Sequence, residues 1–262
     1  MSRLFTFGCS FTMWPWPTWA DIIAHDLAIP FYNWGMPGLG NVAIQHRMLE
    51  CDLKNKITKD DIAIVVWSSW TREDRYDVKE SMYPRPSWTG TGDILHTYDK
   101  KFVNNYWSMN NDLVKNSTAI ISANRMFDIK FNGHIDEPLI NLYNDKKLNF
   151  TDHEKEIALL YESHIPNDGE YDEGGKHPCR YTKTNDCHPD ILAHLDYVNE
   201  FIAPKLGKQL SKTTVDYFTE MHYSLYEYTE NIMDTSDGLD YRWKIHAEFE
   251  KHNWKQQDYR GF

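Results

Sequence analysis

No uninterrupted apolar run in these 262 residues approaches the length that a membrane-spanning helix needs. The N-terminus lacks the basic stretch followed by an apolar one that marks a secretory leader. Both absences predict a soluble, unexported chain acting in the cytoplasm. Basic residues are few: 28 Lys and Arg stand against 39 Asp and Glu, a formal net charge of −11. With no Lys/Arg run to offset it, that balance argues against nucleic acid and anionic membranes as partners, since both want a basic face. Cysteine is sparse too. Four cysteines in a chain this long do not build a disulfide scaffold, although Cys179 and Cys187 are close enough in sequence to pair. His177, Cys179, Cys187 and His188 are metal-ligand types on one loop, but H-x-C followed by C-H lacks the usual zinc spacing. Neither a metal nor an organic cofactor is expected. Internal repeats and low-complexity tracts are absent.

What the chain does have is enough apolar residues, 41%, for a sizeable core, and an aromatic content of 15% that includes ten tryptophans. Such a load serves a core, a subunit interface or a sugar-stacking surface. Residues 3–7 read as a strand. Thr18 is placed to cap a helix whose apolar positions Trp19, Ile22, Ile23 and Leu27 follow helical spacing. A short strand over 29–34 precedes the glycine-rich "GMPGLGN". A helix starting near Asn41 would carry Ile44, Met48 and Cys51 on one face. "DIAIVVW" (61–67) is a continuous run rich in β-branched residues, the mark of a strand covered on both sides. This alternation predicts an α/β fold with a parallel sheet.

Residues 70–95, rich in Pro, Gly, Trp and charge, read as a long surface excursion, and 98–128 as mostly helical. A strand is expected over 137–144, a helix over 152–163 and a loop over 166–176. After Pro189 a helix would bury Ile191, Leu195, Val198 and Ile202. Beyond Gly207 come two or three aromatic, mildly acidic helical segments. The chain thus divides into an α/β domain over 1–206, with an insertion at about 70–130, and a helical extension over 207–262.

In an open α/β sheet, ligands bind outside the carboxyl ends of the strands. Three segments carry chemistry there. After the first strand, Gly8-Cys9-Ser10 offers a tight turn and a nucleophile, with the N-terminus of a following helix expected to aim free amides at the serine. After the second, "NWGMPGLGN" (33–41) allows close backbone approach. It lacks the Lys-Ser/Thr of a phosphate loop and the spacing of a dinucleotide fingerprint. Near residue 190, "NDCHP" puts His188 before a proline and Asp186 two residues earlier. A histidine held by an acid is what activation of a serine requires.

In this order, the blocks resemble the SGNH/GDSL hydrolase family: "FGCSFT" looks like its first block, "NWGMPG" its second, and the "HP" at 188–189 its last. "GCSFT" with "NxGxxGxGN" and a Trp-Ser motif is also similar to a variant met in tailed-phage proteins. The resemblance spans roughly residues 3–206. It implies a three-layer α/β/α sandwich with a flavodoxin-like parallel sheet, and a serine esterase acting through an acyl-serine intermediate. Ser10 would be the nucleophile, His188 the base and Asp186 its orienting acid. The Ser10 and Gly38 amides would form the oxyanion site, with Asn41, Ser69 and Trp67 beside it.

Departures from the family pattern are explicit. Cys9 replaces the usual aspartate and is a rival nucleophile. The third block, "VVWSSWTRED", has no asparagine, so Ser68, Ser69 or Thr71 would supply a hydroxyl instead. Asn185 occupies the position three before His188, where the family has aspartate. The missing asparagine, the displaced aspartate and the aromatic C-terminal extension favour the alternative of a weak or inactive descendant kept for binding or for structure. Expected substrates are small-molecule or carbohydrate esters, the latter if Trp14, Trp16, Trp19, Trp67 or Trp70 face the cleft. Arg72 and Arg75 would bind an acidic substrate group or form local ion pairs. The aromatic extension would contact the domain, a second copy of the chain or a larger assembly such as a virion.

Overall fold

The computed structural model describes residues 2–77, 87–94, 98–133, 188–235, 241–251 and 254. The strand expected over 137–144, the helix over 152–163 and the loop over 166–176 lie outside these residues. So do His177, Cys179, Asn185, Asp186 and Cys187. The chain divides into two compact units. One comprises Met1–Met13, Pro30–His153 and Asp258–Phe262; the other comprises Trp14–Ile29 and Glu154–Gln257.

The first unit is built on a parallel sheet. Its strands are β1 (Leu4–Gly8), β2 (Phe31–Asn33), β3 (Ile62–Val66) and β6 (Ile129–Gly133), ordered β2-β1-β3-β6. Leu4 lies level with both Phe31 and Ile62, and Gly8 with Val66. All five residues of β1 are buried, as are Ala63–Val66 of β3, which explains why β3 reads as a continuous apolar run and β1 as an apolar one interrupted by Thr6. Phe5, Phe7, Ala63 and Val65 point to one face. There they join Ile44, Met48 and Cys51 of helix α2 (Asn41–Asn55) and Leu113, Ile120 and Ala123 of helix α4 (Met109–Met126) in one core. Cys51 is sealed in this core, and burial pushes its thiol up to about 12.

Two elements differ from expectation. Residues 70–95, expected as a long surface excursion with no regular element assigned, contain an antiparallel strand pair, β4 (Arg72–Asp77) with β5 (Ser87–Asp93). The β4 sequence REDRYD shows no apolar alternation because polar contacts anchor it. Glu73 pairs with Lys115 at 3.5 Å, and the Arg75 guanidinium lies over the Tyr98 ring at 4.8 Å. Arg75 is thus held locally, which agrees with the ion-pair expectation for this segment more than with a substrate role. The second difference is β6, IKFNG, which is short, carries a lysine and follows α4 after two residues, Phe127 and Asp128, so little in the pattern announces it. Helix α3 (Lys100–Tyr106) and α4 fall within the stretch predicted to be helical.

At the amino ends of the strands, Arg3 closes the sheet. Its guanidinium bonds both oxygens of Asp61, at 2.9 and 2.7 Å, and donates to the carbonyls of Asn55 and Lys56 at the end of α2. Thr58 adds its N–H and hydroxyl to the same carboxylate. The Arg3 side chain, more than any other group, holds the Asp61 carboxyl well below the usual carboxylate range. Asp61→Ala leaves these donors without their acceptor, and we expect a loss of about 3 kcal/mol in urea denaturation. Because the folded pKa is depressed, the carboxylate's contribution is complete above about pH 4 and fades as pH falls through the lowered value.

In the second unit, helix α1 (Trp19–Leu27) starts where predicted. The Asp21 carboxylate accepts the Thr18 N–H at 2.9 Å and its hydroxyl at 3.1 Å. Helix α5 (Ile191–Tyr197) continues through a π-helical turn (Val198–Ile202) into Ala203–Lys205, and Ile191, Leu195, Val198 and Ile202 are all buried. Its N-cap is Asp190, whose Oδ1 accepts the Ala193 N–H at 2.8 Å, so Pro189 precedes the helix rather than opening it. Helices α6 (Lys212–Thr235) and α7 (Tyr241–Lys251) follow, with α6 packed on α1 and α5. Among the described residues no helix is long and apolar enough to cross a membrane.

Candidate active site

Numbered along the chain, the four parallel strands run 2-1-3-4. The chain leaves β1 on one side and returns past it to β3, so the topological switch point lies between the carboxyl ends of β1 and β3. Three loops of the first unit meet there. The first begins at Gly8, where a Cβ would sit 2.0 Å from Thr12 Oγ1 and 2.7 Å from the Val66 carbonyl. Only glycine lets β1 end this close to its neighbour. The Cys9 carbonyl then accepts from Thr12 N at 3.0 Å and Met13 N at 3.2 Å, folding residues 9–13 into a turn. Helix α1 begins at Trp19, as the Thr18 cap predicts, and its first turn is capped by Thr18 and Asp21. Ser10 is 3% exposed and Cys9 2%.

The second loop is tied to the first by Asn33. Its side-chain amide donates to the Thr12 carbonyl and its Oδ1 accepts the Gly35 N–H, both at 2.9 Å. A Cβ on Gly35 would meet the Thr12 side chain at 2.9 Å. Gly38 adopts a left-handed backbone (φ +83°), which favours glycine at the proposed amide donor, and it is half-buried.

Asn41, fully buried, ties the second loop to the third. Its Nδ2 donates to the Ser68 carbonyl at 2.9 Å and its Oδ1 accepts the Ser68 N–H at 2.7 Å. Its amide therefore holds the β3 end in place instead of being presented to a substrate. Trp67 is likewise a core residue, 0% exposed, with its indole N–H given to Asn132 Oδ1 at 3.0 Å. Trp14, Trp16 and Trp19 are also buried. Of the five tryptophans considered for sugar stacking, Trp70 alone is half-exposed, and it stacks on Trp107. Packing accounts for the other four. Among the third-block hydroxyls, Ser69 Oγ lies 2.9 Å from Thr71 Oγ1, whereas the buried Ser68 Oγ has no hydrogen-bond partner among the described residues.

His188 belongs to the second unit. Its ring stacks on the Trp14 indole with centroids 3.4 Å apart and planes 16° from parallel. The Trp16 indole N–H donates to the Pro189 carbonyl at 2.8 Å. The His-Pro segment is thus pinned to Trp14 and Trp16 within the second unit. Sequence reasoning passed over a set of polar groups beside it. Asp190 Oδ2 lies 3.9 Å from His222 Nδ1, and both side chains are buried. His194 is also buried, and its Nδ1 has no hydrogen-bond partner among the described residues. Asp190 carried a readable signal, an acid just ahead of a helical pattern. His194 and His222 carried none, being single histidines within helical stripes. Among the described residues no cluster of three or more His, Cys, Asp or Glu is arranged to hold a metal.

Two buried groups of this unit set opposing pH dependences. His194 is held at about 3, first by burial and then by the charge of His188. Asp21 is pushed up to about 6 by burial, against the bonds it receives from Thr18. Between about pH 4 and 6 the unfolded chain binds a proton at His194 that the fold refuses, which makes stability rise with pH. Over the same range the fold keeps a proton on Asp21 that the unfolded chain releases, which makes stability fall with pH. His194→Gln removes the first slope. We expect the variant, in urea denaturation across this range, to lose up to about 1.4 kcal/mol per pH unit relative to wild type. A constant difference between the two proteins would show that His194 titrates normally.

No protein-family model matches this chain, and no curated protein matches its sequence. The fold defines an α/β protein with a parallel sheet, and its glycine-turned loops converge at the switch point.

Proposed function

We propose that the chain is a serine esterase of the SGNH/GDSL kind, hydrolysing small acyl esters. The observation that carries this reading is the convergence of three glycine-turned loops of the first unit at the carboxyl ends of β1, β2 and β3, with Ser10 on the first and Gly38 on the second. The parallel strand order, with its switch point between β1 and β3, supports a flavodoxin-like reading. In the reaction, His188 takes the Ser10 proton as Oγ attacks the acyl carbon. It then returns that proton to the departing alcohol, leaving an acyl-serine. Water, deprotonated by His188, attacks the acyl carbon and releases the acid, and Ser10 regains its proton. The Ser10 and Gly38 amides receive the oxyanion, and Ser68 is the favoured third donor because Ser69 is engaged with Thr71. Asp186 is assigned to orient His188.

A second reading, an inactive relative kept for binding or as a structural component, is favoured by the 3% exposure of Ser10. Fluorophosphonate labelling and hydrolysis of a short-chain aryl ester separate the two. The esterase reading expects labelling of wild type and none of Ser10→Ala. A wild type that neither labels nor turns over supports the second reading.

A further inference from the structure

Helix α2 opens with glycine at its N-cap, and Gly40 has no side-chain oxygen to offer the first amides. Asp74 of β4 supplies both acceptors. Its Oδ1 takes the Gly40 N–H at 2.7 Å and its Oδ2 the Ala43 N–H at 2.9 Å, which places a carboxylate on the positive end of the helix dipole. The fit is close: a Cβ on Gly40 would lie 2.7 Å from Asp74 Oδ2 and 3.0 Å from the Arg72 carbonyl. Asn41, the next residue, holds both backbone groups of Ser68. The Arg72 N–H donates to the Ser69 carbonyl at 3.2 Å. The contacts close a ring that runs from the end of β3 through Asn41 and the start of α2 to Asp74, and back along β4. Gly38 enters this ring two residues before Gly40, with fully buried Leu39 between them.

We propose that Asp74 is a positioning residue which, by holding the N-terminus of α2, fixes the Gly38 amide and the β3 end in the geometry that receives the oxyanion. The proposal rests on the esterase reading and deepens it. Among the described residues Asp74 bonds to backbone amides, those of Gly40 and Ala43, and acts through them. Its removal leaves the strand anchored, because Glu73 still pairs with Lys115, Arg75 still covers Tyr98, and Asn116 Nδ2 still donates to the Trp70 carbonyl at 3.0 Å.

Asp74→Ala and Asp74→Asn test this, each assayed for aryl-ester hydrolysis with sodium formate added, against sodium chloride at equal ionic strength. Asp74→Ala should lower kcat by about 10- to 100-fold with KM within about twofold of wild type, since displaced donors act on the transition state. Asp74→Asn keeps one acceptor and should fall between the two. Formate, a carboxylate small enough for the vacated position, should restore part of the Asp74→Ala rate in a saturable way and leave wild type unchanged. An unaltered kcat, or a loss that formate does not reverse, overturns the proposal. Amide hydrogen exchange of residues 35–44 gives a readout independent of turnover: exchange should quicken in Asp74→Ala and slow again with formate. If wild type proves inactive while exchange behaves this way, the esterase reading fails and the clamp stands. Unchanged exchange removes the clamp whatever the turnover.

Discussion

On the esterase reading, Ser10→Ala is expected to lower kcat for an aryl ester by on the order of 10⁴-fold or more, because that reading puts the attacking oxygen on Ser10. The variant should fold normally. The residue sits in a turn closed by the backbone bonds of Cys9, Thr12 and Met13, and the substitution touches none of them. Equal thermal midpoints for the two proteins, together with loss of fluorophosphonate labelling, would assign the loss to chemistry. Cys9 is the control. If it were the nucleophile, Ser10→Ala would retain turnover and Cys9→Ala would lose it. His188→Ala should fall nearly as far as Ser10→Ala, since nucleophile and base act as a unit and their losses do not add.

The second large effect is structural. Gly8→Ala forces a Cβ to within 2.0 Å of Thr12 Oγ1 and 2.7 Å of the Val66 carbonyl. The threonine could rotate, but the carbonyl is fixed in the central strand, level with Gly8 itself. We expect a loss of more than about 3 kcal/mol in urea denaturation, or failure to accumulate as soluble protein. Adding Thr12→Ala should recover only a minor part. Gly207→Ala is the comparison, because a Cβ there meets nothing within 4 Å and only the left-handed φ of +70° is penalised. That substitution should cost about 1–2 kcal/mol. Similar costs at the two glycines would contradict the close approach at β1.

The two experiments probe different aspects of one arrangement. Gly8, Gly35 and Gly40 are placed where backbone or side chains come too near for a Cβ, and Asn33 and Asn41 bridge the loops that those glycines admit. Three consecutive strand ends are thereby locked to one another in the first unit. Preorganised amides of this kind are what an oxyanion site requires, since they need not reorganise as charge develops.

Much of this was legible in residue order alone. The buried strands at Leu4–Gly8 and Ile62–Val66, the Thr18-capped helix, the apolar stripe of α2 and the helix after Pro189 all follow from local rules: short apolar runs, 3.6-residue periodicity and a capping residue. The parallel sheet followed from their alternation. Local pattern could not reveal β4, because its charged residues are held by partners distant in the chain: Asp74 by the α2 amides, Glu73 by Lys115 and Arg75 by Tyr98. The same limit applies to Asn41 and Trp67. Both are expected from the sequence beside the oxyanion site, and their polar groups bond to Ser68 and Asn132. Sequence alone determined which segments are apolar enough to become sheet and helix, since that depends on neighbours along the chain. Only the tertiary structure decided which polar side chains hold loops together, since a hydrogen bond depends on what folding brings within 3 Å and carries no mark in the order of residues.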